Sequence, residues 1–278
     1  MTLAAVNDAP TISAIPNQTT LEDTATGAIA FTVGDVETAV AALTVSASSS
    51  NTGLVAAGGI ALGGTGASRT ITLTPVANAN GTSTITVTVN DGASTATTTF
   101  ALTVTAVNDV PVATAQSVTV TEDTAATITL AGTDVEGSTL TYTVVSQPSK
   151  GVLSGTAPNL TYTPTANATG SDSFTFKVND GTADSVAATV MITISAVNDA
   201  PVLAAVGVSG TEDTTLVFQL ADFTSKYSDI ENTALASVTV VTLPVTGVLK
   251  LSNVAVTAGQ VIAAASLGNL SYEPALNE

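Results

Sequence analysis

The phrase AVNDAP stands at residues 5–10 and again at 196–201, and AVNDVP occupies 106–111 between them. A joint written three times, at intervals of about 90–100 residues, marks tandem modules, because that spacing is the size of a small domain. It assigns residues 1–9 to the linker of a preceding module, 10–109 to a first module, 110–199 to a second and 200–278 to a third.

Between the joints the text reads as short alternating strands punctuated by turns, the pattern of an all-β sandwich. In the second module TITL (127–130), LTYTVV (140–145), NLTYTP (159–164), SFTFKV (173–178) and ATVMITI (188–194) alternate and are rich in Val and Thr, which fit a pleated surface. TITLTP (70–75), TSTITVTV (82–89) and TTTFALTV (97–104) match them in the first, and both modules close on a hairpin with NDG at its turn, at 90–92 and 179–181. The third begins alike, with TEDT at 211–214, and reaches NLSYEP at 269–274, the counterpart of NLTYTP. The second module then writes two more strands where the third has four residues left, so the third is expected to be truncated and to expose sheet edges.

Composition removes most chemistries. The chain has no Cys and no His, which excludes disulfides, most nucleophilic triads and most zinc sites. Five basic residues against 22 acidic ones give a formal charge of −17. That balance argues against nucleic acid and anionic lipid surfaces and favours cations. No apolar run is long enough to span a membrane. MTLAAVND has no basic start followed by an apolar stretch, so no secretory signal is read there. GGTG at 63–66 is not followed by Lys-Ser/Thr and reads as a loop. With no Trp or His and few aromatics to build a cleft, an active site is not expected.

Four acidic motifs recur in the same order. They are the joint (Asn7–Asp8, Asn108–Asp109, Asn198–Asp199), a Glu-Asp pair before Thr (Glu22–Asp23, Glu122–Asp123, Glu212–Asp213), an Asp-x-Glu (Asp35/Glu37, Asp134/Glu136, Asp229/Glu231) and the hairpin Asp (Asp91, Asp180). Seventeen of the 22 acids lie in them. Of the five others, Asp172, Asp184 and Asp222 are read as solvated. In a Greek-key sandwich the Glu-Asp turn hangs from the far end of its module, while the Asp-x-Glu and hairpin loops sit at the end where a module begins. The first internal junction is therefore expected to gather Glu22, Asp23, Asn108, Asp109, Asp134, Glu136 and Asp180. The second would gather Glu122, Asp123, Asn198, Asp199, Asp229 and Glu231, with Asn7, Asp8, Asp35, Glu37 and Asp91 a half-site at the N-terminal end.

So many carboxylates at one joint repel unless a hard cation enters, and a set of carboxylate, amide and carbonyl oxygens suits calcium. Each motif alone has a plainer reading: NDAP as a turn-forming linker, NDG as a hairpin turn, EDT as a self-bonding loop. Their ordered recurrence is what points to Ca2+.

These residues resemble a known family. The VNDAP joints, EDT, the D-x-E motif and the closing F-x-V-N-D-G hairpin are similar to the cadherin-like and Ig-like (VCBS-type) tandem repeats of large, RTX-type bacterial surface adhesins, and the second module carries the likeness most fully. The resemblance implies secretion, commonly by a type I system, and calcium-stiffened extenders that hold a distal binding domain away from the cell. Compared with animal cadherins the linker is shortened to V-N-D-x-P, and TPVANANG and TPTANATG lack the acidic motif. It therefore implies one or two ions per joint rather than three. The expected architecture is tandem Greek-key β-sandwiches in a rod-like array, three modules extending roughly 100 Å. The expected role is an extracellular extender supporting adhesion and biofilm formation, with neighbouring modules of the same long chain as partners. Two alternatives stand beside it: a filament subunit completed by strand exchange with another copy of itself, and a module that binds glycan or protein directly.

Overall fold

In the computed structural model, residues 6–276 are described. The chain divides into two compact units. One holds the residues up to Thr114 with Ala131–Thr143 and Lys177–Ala187; the other holds Ala115–Leu130, Val144–Phe176 and the residues from Ala188 on.

Eight strands precede the first internal joint: β1 (Thr11–Ile12), β2 (Gln18–Leu21), β3 (Ile29–Gly34), β4 (Thr44–Ser49), β5 (Ile60–Thr65), β6 (Ser68–Leu73), β7 (Gly81–Asn90) and β8 (Thr95–Thr105). They make two sheets, ordered β1-β3-β6-β5 and β2-β8-β7-β4. Every second residue points inward, so Phe31, Val33, Ile71 and Leu73 of one sheet and Ile85, Val87, Val89, Phe100, Leu102 and Val104 of the other form one buried cluster. β7 and β8 are the long hairpin read from the sequence, registered from Gly81↔Val104 to Asn90↔Thr95. The short β2, not legible in QTTL, runs parallel to the end of β8, from Gln18↔Leu102 to Leu21↔Thr105.

The second module supplies β9 (Val112–Ala113), β10 (Gln116–Thr121), β11 (Ala126–Thr129), β12 (Gly132–Thr133), β13 (Thr141–Ser146), β14 (Gly151–Thr156), β15 (Asn159–Pro164), β16 (Gly170–Asn179) and β17 (Ala188–Ser195). β9 and β12 pair within the first unit. Within the second, β10 runs parallel to β17 over six registered pairs, Gln116↔Val190 to Thr121↔Ser195. β17 buries alternate residues without exception, including Val190, Ile192 and Ile194.

Asp172 is not solvated. It is 8% exposed, and all its oxygen capacity is used. Oδ1 accepts from the amides of Ser149 (2.8 Å) and Ser173 (2.9 Å) and from Ser149 Oγ (3.0 Å). Oδ2 accepts from the Lys150 amide and the Tyr162 hydroxyl, each at 2.8 Å. The first module has buried Ser83 at the corresponding place in β7, bonded to Ser49 Oγ at 2.8 Å and to the Asn51 amide at 3.2 Å. Asp184 pairs with Lys177 and accepts from Asn179 Nδ2 at 2.8 Å.

The third module contributes β18 (Val202–Leu203), β19 (Leu216–Val217), α1 (Leu220–Thr224), β20 (Tyr227–Ser228), β21 (Ser237–Thr239), β22 (Val248–Leu251), β23 (Val254–Ala255), β24 (Val261–Ala263) and β25 (Leu270–Glu273). Asp222 also departs from the solvated reading: it caps α1, taking the Gln219 amide on Oδ2 at 2.7 Å. One sheet is ordered β19-β25-β22-β23, while β18-β20 and β21-β24 are separate pairs. The buried cluster is small: Val256, Ile262, Leu267 and Leu270. Among the described residues no helix is long and apolar enough to cross a membrane.

Candidate metal centres at the joints

The parallel pairing of β2 with β8 determines where Glu22 goes. Its amide donates to Thr105 O at 3.0 Å, extending the ladder one residue beyond Leu21. That turns the side chain inward, to 3% exposure, with Oε1 accepting the Val107 amide at 2.6 Å. The second module repeats this. The Glu122 amide donates to Ser195 O at 3.0 Å, the side chain is 2% exposed, and Oε1 accepts the Val197 amide at 2.6 Å. The Val of each internal VND joint, Val107 and Val197, thus positions the Glu through its backbone, a role the sequence reading gave to no residue.

The other carboxylates arrive from the chain beyond. At the first joint the Asp109 amide donates to Glu136 Oε2 at 3.2 Å, and Asp134 Oδ1 accepts the Ser138 amide at 2.8 Å. Glu22, Asp109 and Glu136 each present an oxygen within 4.8 Å of the others. At the second joint the Asp199 amide donates to Glu231 Oε1 at 3.2 Å, Asp229 Oδ1 accepts the Thr233 amide at 2.8 Å, and Glu122, Asp199 and Glu231 converge within the same 4.8 Å. The longer approach through α1 leaves Asp229 and Glu231 in the roles of Asp134 and Glu136.

Glu22 and Asp134 at the first joint, and Glu122 and Glu231 at the second, have one carboxylate oxygen bonded and its twin unpartnered. Glu22 Oε2, Asp109 Oδ2 and Asp134 Oδ2 at the first joint, and Glu122 Oε2, Asp199 Oδ2 and Glu231 Oε2 at the second, are buried without a hydrogen-bond partner. Buried acceptors are rarely left so, because desolvation is not repaid. The electrostatics point the same way. Burial, and then the charges of Glu231, Asp123, Glu122 and Asp229, push the Asp199 carboxyl above its ordinary range.

The remaining predicted residues surround these clusters. Asn108 Nδ2 donates to Asp180 Oδ2 at 2.8 Å and to Asp109 O at 2.9 Å, clamping the hairpin turn to the joint. Asp180 Oδ1 takes the Thr182 and Ala183 amides at 2.6 and 2.7 Å, and these bonds with the one from Asn108 hold its carboxyl below the usual range. Asn198 makes the matching bond to Asp199 O at 2.9 Å. Asp23 and Asp123, both at left-handed backbone, turn toward a loop instead, each Oδ1 accepting at 3.0 Å from Asn78 or Asn167. Asp23→Ala is expected to cost about 1 kcal/mol and to speed hydrogen exchange of the Asn78 amide, read by mass spectrometry.

The half-site beside residue 7 repeats the arrangement. Asn7 Nδ2 reaches Asp91 Oδ2 at 3.0 Å, and the Asp8 amide donates to Glu37 Oε2 at 3.1 Å. Asp35 Oδ1 accepts the Glu37 amide at 2.9 Å, and its Oδ2 is buried and unpartnered. Glu212 and Asp213, the third Glu-Asp pair, lie on the surface.

Comparison with known proteins places this chain in a family. A model of the bacterial Ig domain matches residues 7–105 and again 108–193. No curated protein matches in sequence. Among solved structures, an endo-fucoidan hydrolase of glycoside hydrolase family 107 shares 23% identity over 68% of this chain with a TM-score of 0.32, and the chain spans 29% of that protein's length. The human desmocollin-1 ectodomain shares 12% identity over 97% of this chain and 53% of its own, with a TM-score of 0.48. A protocadherin γB7 fragment shares 17% over 92% and 69%, with a TM-score of 0.46. Two family matches in tandem, over well more than half of its length, show that this chain belongs to the bacterial Ig domain family.

Proposed function

We propose that the chain is a calcium-stiffened extender segment of an extracellular bacterial adhesin, supporting attachment to cells or surfaces and biofilm formation. The observation that carries this reading is the repeated unpartnered oxygen on a Glu buried to 3% at one joint and 2% at the next. Glu22, Asp109, Asp134 and Glu136 would hold one ion, and Glu122, Asp199, Asp229 and Glu231 another. All-oxygen sets with several carboxylates and irregular spacing suit Ca2+, which accepts about 6–8 oxygens, better than Mg2+ with its tight octahedron. An ion there cancels the repulsion between a module's Glu and the acids beyond the joint, so the angle between modules becomes fixed. Extracellular calcium modules commonly bind at about 10⁻⁴–10⁻³ M, a range that external fluids reach.

Small-angle X-ray scattering of the whole chain tests this. With millimolar calcium the profile is expected to be that of a stiff particle, and excess chelator is expected to broaden the distance distribution toward a flexible one. An unchanged profile would assign the acids to ordinary linker and turn roles and remove the extender mechanism.

A further inference from the structure

Both complete modules turn between their last two strands on Asn-Asp-Gly, at 90–92 and 179–181, and these are the only Asp-Gly pairs in the chain. The turn requires its glycine. Gly92 and Gly181 stand at φ of 102° and 100°, a backbone that a residue with a Cβ adopts only under strain. An aspartate directly before a glycine is chemically labile, because no side chain hinders the glycine nitrogen from reaching the aspartate Cγ. With the carboxyl in its acid form, that nitrogen attacks Cγ and a new C–N bond closes a five-membered succinimide. The Cγ–OH bond breaks, and the hydroxyl leaves with the amide proton as water. Water then reopens the ring. Where it enters at the main-chain carbonyl, the product is isoaspartate, with one more methylene in the backbone.

Both reacting groups are occupied in this fold. The Gly181 amide donates to Asn179 Oδ1 at 2.7 Å, so the nucleophile is tied to the residue before Asp180. Asp180 Oδ1 accepts the Thr182 and Ala183 amides at 2.6 and 2.7 Å. Those bonds come from the turn itself, and the one to Oδ2 does not. It comes from Asn108 Nδ2, 72 residues away in the chain, at 2.8 Å. The first module repeats each bond. The Gly92 amide donates to Asn90 Oδ1 at 2.6 Å, and Asp91 Oδ1 accepts the Ala93 and Ser94 amides at 2.7 and 2.6 Å. Asn7 Nδ2 reaches Asp91 Oδ2 at 3.0 Å from 84 residues away. With both oxygens held, the carboxylate is kept from swinging its Cγ onto the glycine nitrogen.

We propose that each hairpin tip is a latent modification site guarded by the asparagine of its joint: Asn108 keeps Asp180–Gly181 from isomerising, and Asn7 does the same for Asp91–Gly92. The bond to Oδ2 is the one that a hairpin cannot supply for itself, and it is lost when the joint lets go while the turn stays folded. Asparagine suits the task. Its amide nitrogen donates to the hairpin carboxylate and, at 2.9 Å in both copies, to the main-chain oxygen of the next residue, Asp109 or Asp8. A carboxylate in its place would repel the hairpin Asp. The guard needs no ion and acts on the joint with or without calcium.

The test incubates Asn108→Ala and Asn7→Ala chains beside the parent in chelator, and locates isoaspartate by peptide mass spectrometry with electron-transfer fragmentation. Asn108→Ala is expected to speed conversion at Asp180 about tenfold, the population freed when one charge-assisted hydrogen bond is removed, and to leave Asp91 at the parent's rate. Asn7→Ala is expected to give the converse. In urea all three chains are expected to convert alike at each site, because neither guard exists there. Rates in the folded variants equal to the parent's at both sites would overturn the proposal. So would conversion at Asp91 and Asp180 together in either variant, which reports general loosening, or an unfolded chain that leaves Asp180 intact.

Discussion

Asp172→Ala is expected to be the most destabilising single polar change in the second module, at about 3–5 kcal/mol. The change leaves the buried Tyr162 hydroxyl and the amides of Ser149, Lys150 and Ser173 without their acceptor. Each orphaned group adds its own desolvation cost. A lowered urea midpoint for the transition reported by near-ultraviolet Tyr signal checks it; a loss under 1 kcal/mol would show that water replaces the carboxylate.

The same network has a pH signature. Burial raises the Asp172 pKa, but the bonds from Ser149, Tyr162, Lys150 and Ser173 outweigh it and hold the carboxyl at about 2 against 3.8. A depressed pKa means the stabilisation, about 2 kcal/mol, is fully present above about pH 4 and disappears as pH falls through 2. Tyr162 is pushed upward, first by burial and then by the bond to and charge of Asp172, so it stays neutral throughout. Asp172→Asn is expected to flatten the stability profile between pH 4 and 2. The Ser83 counterpart in the first module carries no charge and contributes no such slope.

The second large effect is one that calcium offsets. Glu122→Gln keeps an oxygen for the Val197 amide but removes the charge facing Asp199 and Glu231. In chelator the variant is expected to be more stable than the parent chain, because two like charges about 4–5 Å apart repel by about 3–4 kcal/mol at an effective dielectric near 20. With 10 mM calcium the gap is expected to narrow. A site with a dissociation constant of about 0.1–1 mM stabilises the folded chain by about 1.4–2.7 kcal/mol, and the variant loses this. Glu22→Gln behaves alike at the first joint. Denaturation curves with and without calcium, beside calorimetric ion counts, decide the matter. A variant less stable than its parent in both conditions would mark the Glu as a packing residue only.

What was legible in the sequence was whatever repeats locally. Alternation in TSTITVTV and SFTFKV located β7 and β16 because each strand has a wet and a dry face. Short β9 escaped, since two residues cannot establish a period and its strand character comes from its pairing with β12. The acids were found because they recur, but their division of labour was not. Whether Asp23 turns to the joint or to the Asn78 amide depends on a left-handed backbone that a run of letters does not display. Asp172 was misread for a related reason. It stands in phase with the inward-facing Phe174, Phe176 and Val178 of β16, and what the letters do not show is Tyr162 and the 149–150 turn, the distant partners that satisfy it there.

The parallel alignment of β10 with β17 has a consequence when the chain is pulled. Past the two-residue β9, tension runs into the second module along β10 and leaves along β17, two strands joined side by side over six registered pairs. Stretching then loads that ladder in shear, so its hydrogen bonds must fail together rather than unzip one after another. The first module has four such pairs between β2 and β8. Of the two it is the weaker link, a fuse that yields first under force while the module beyond it stays closed.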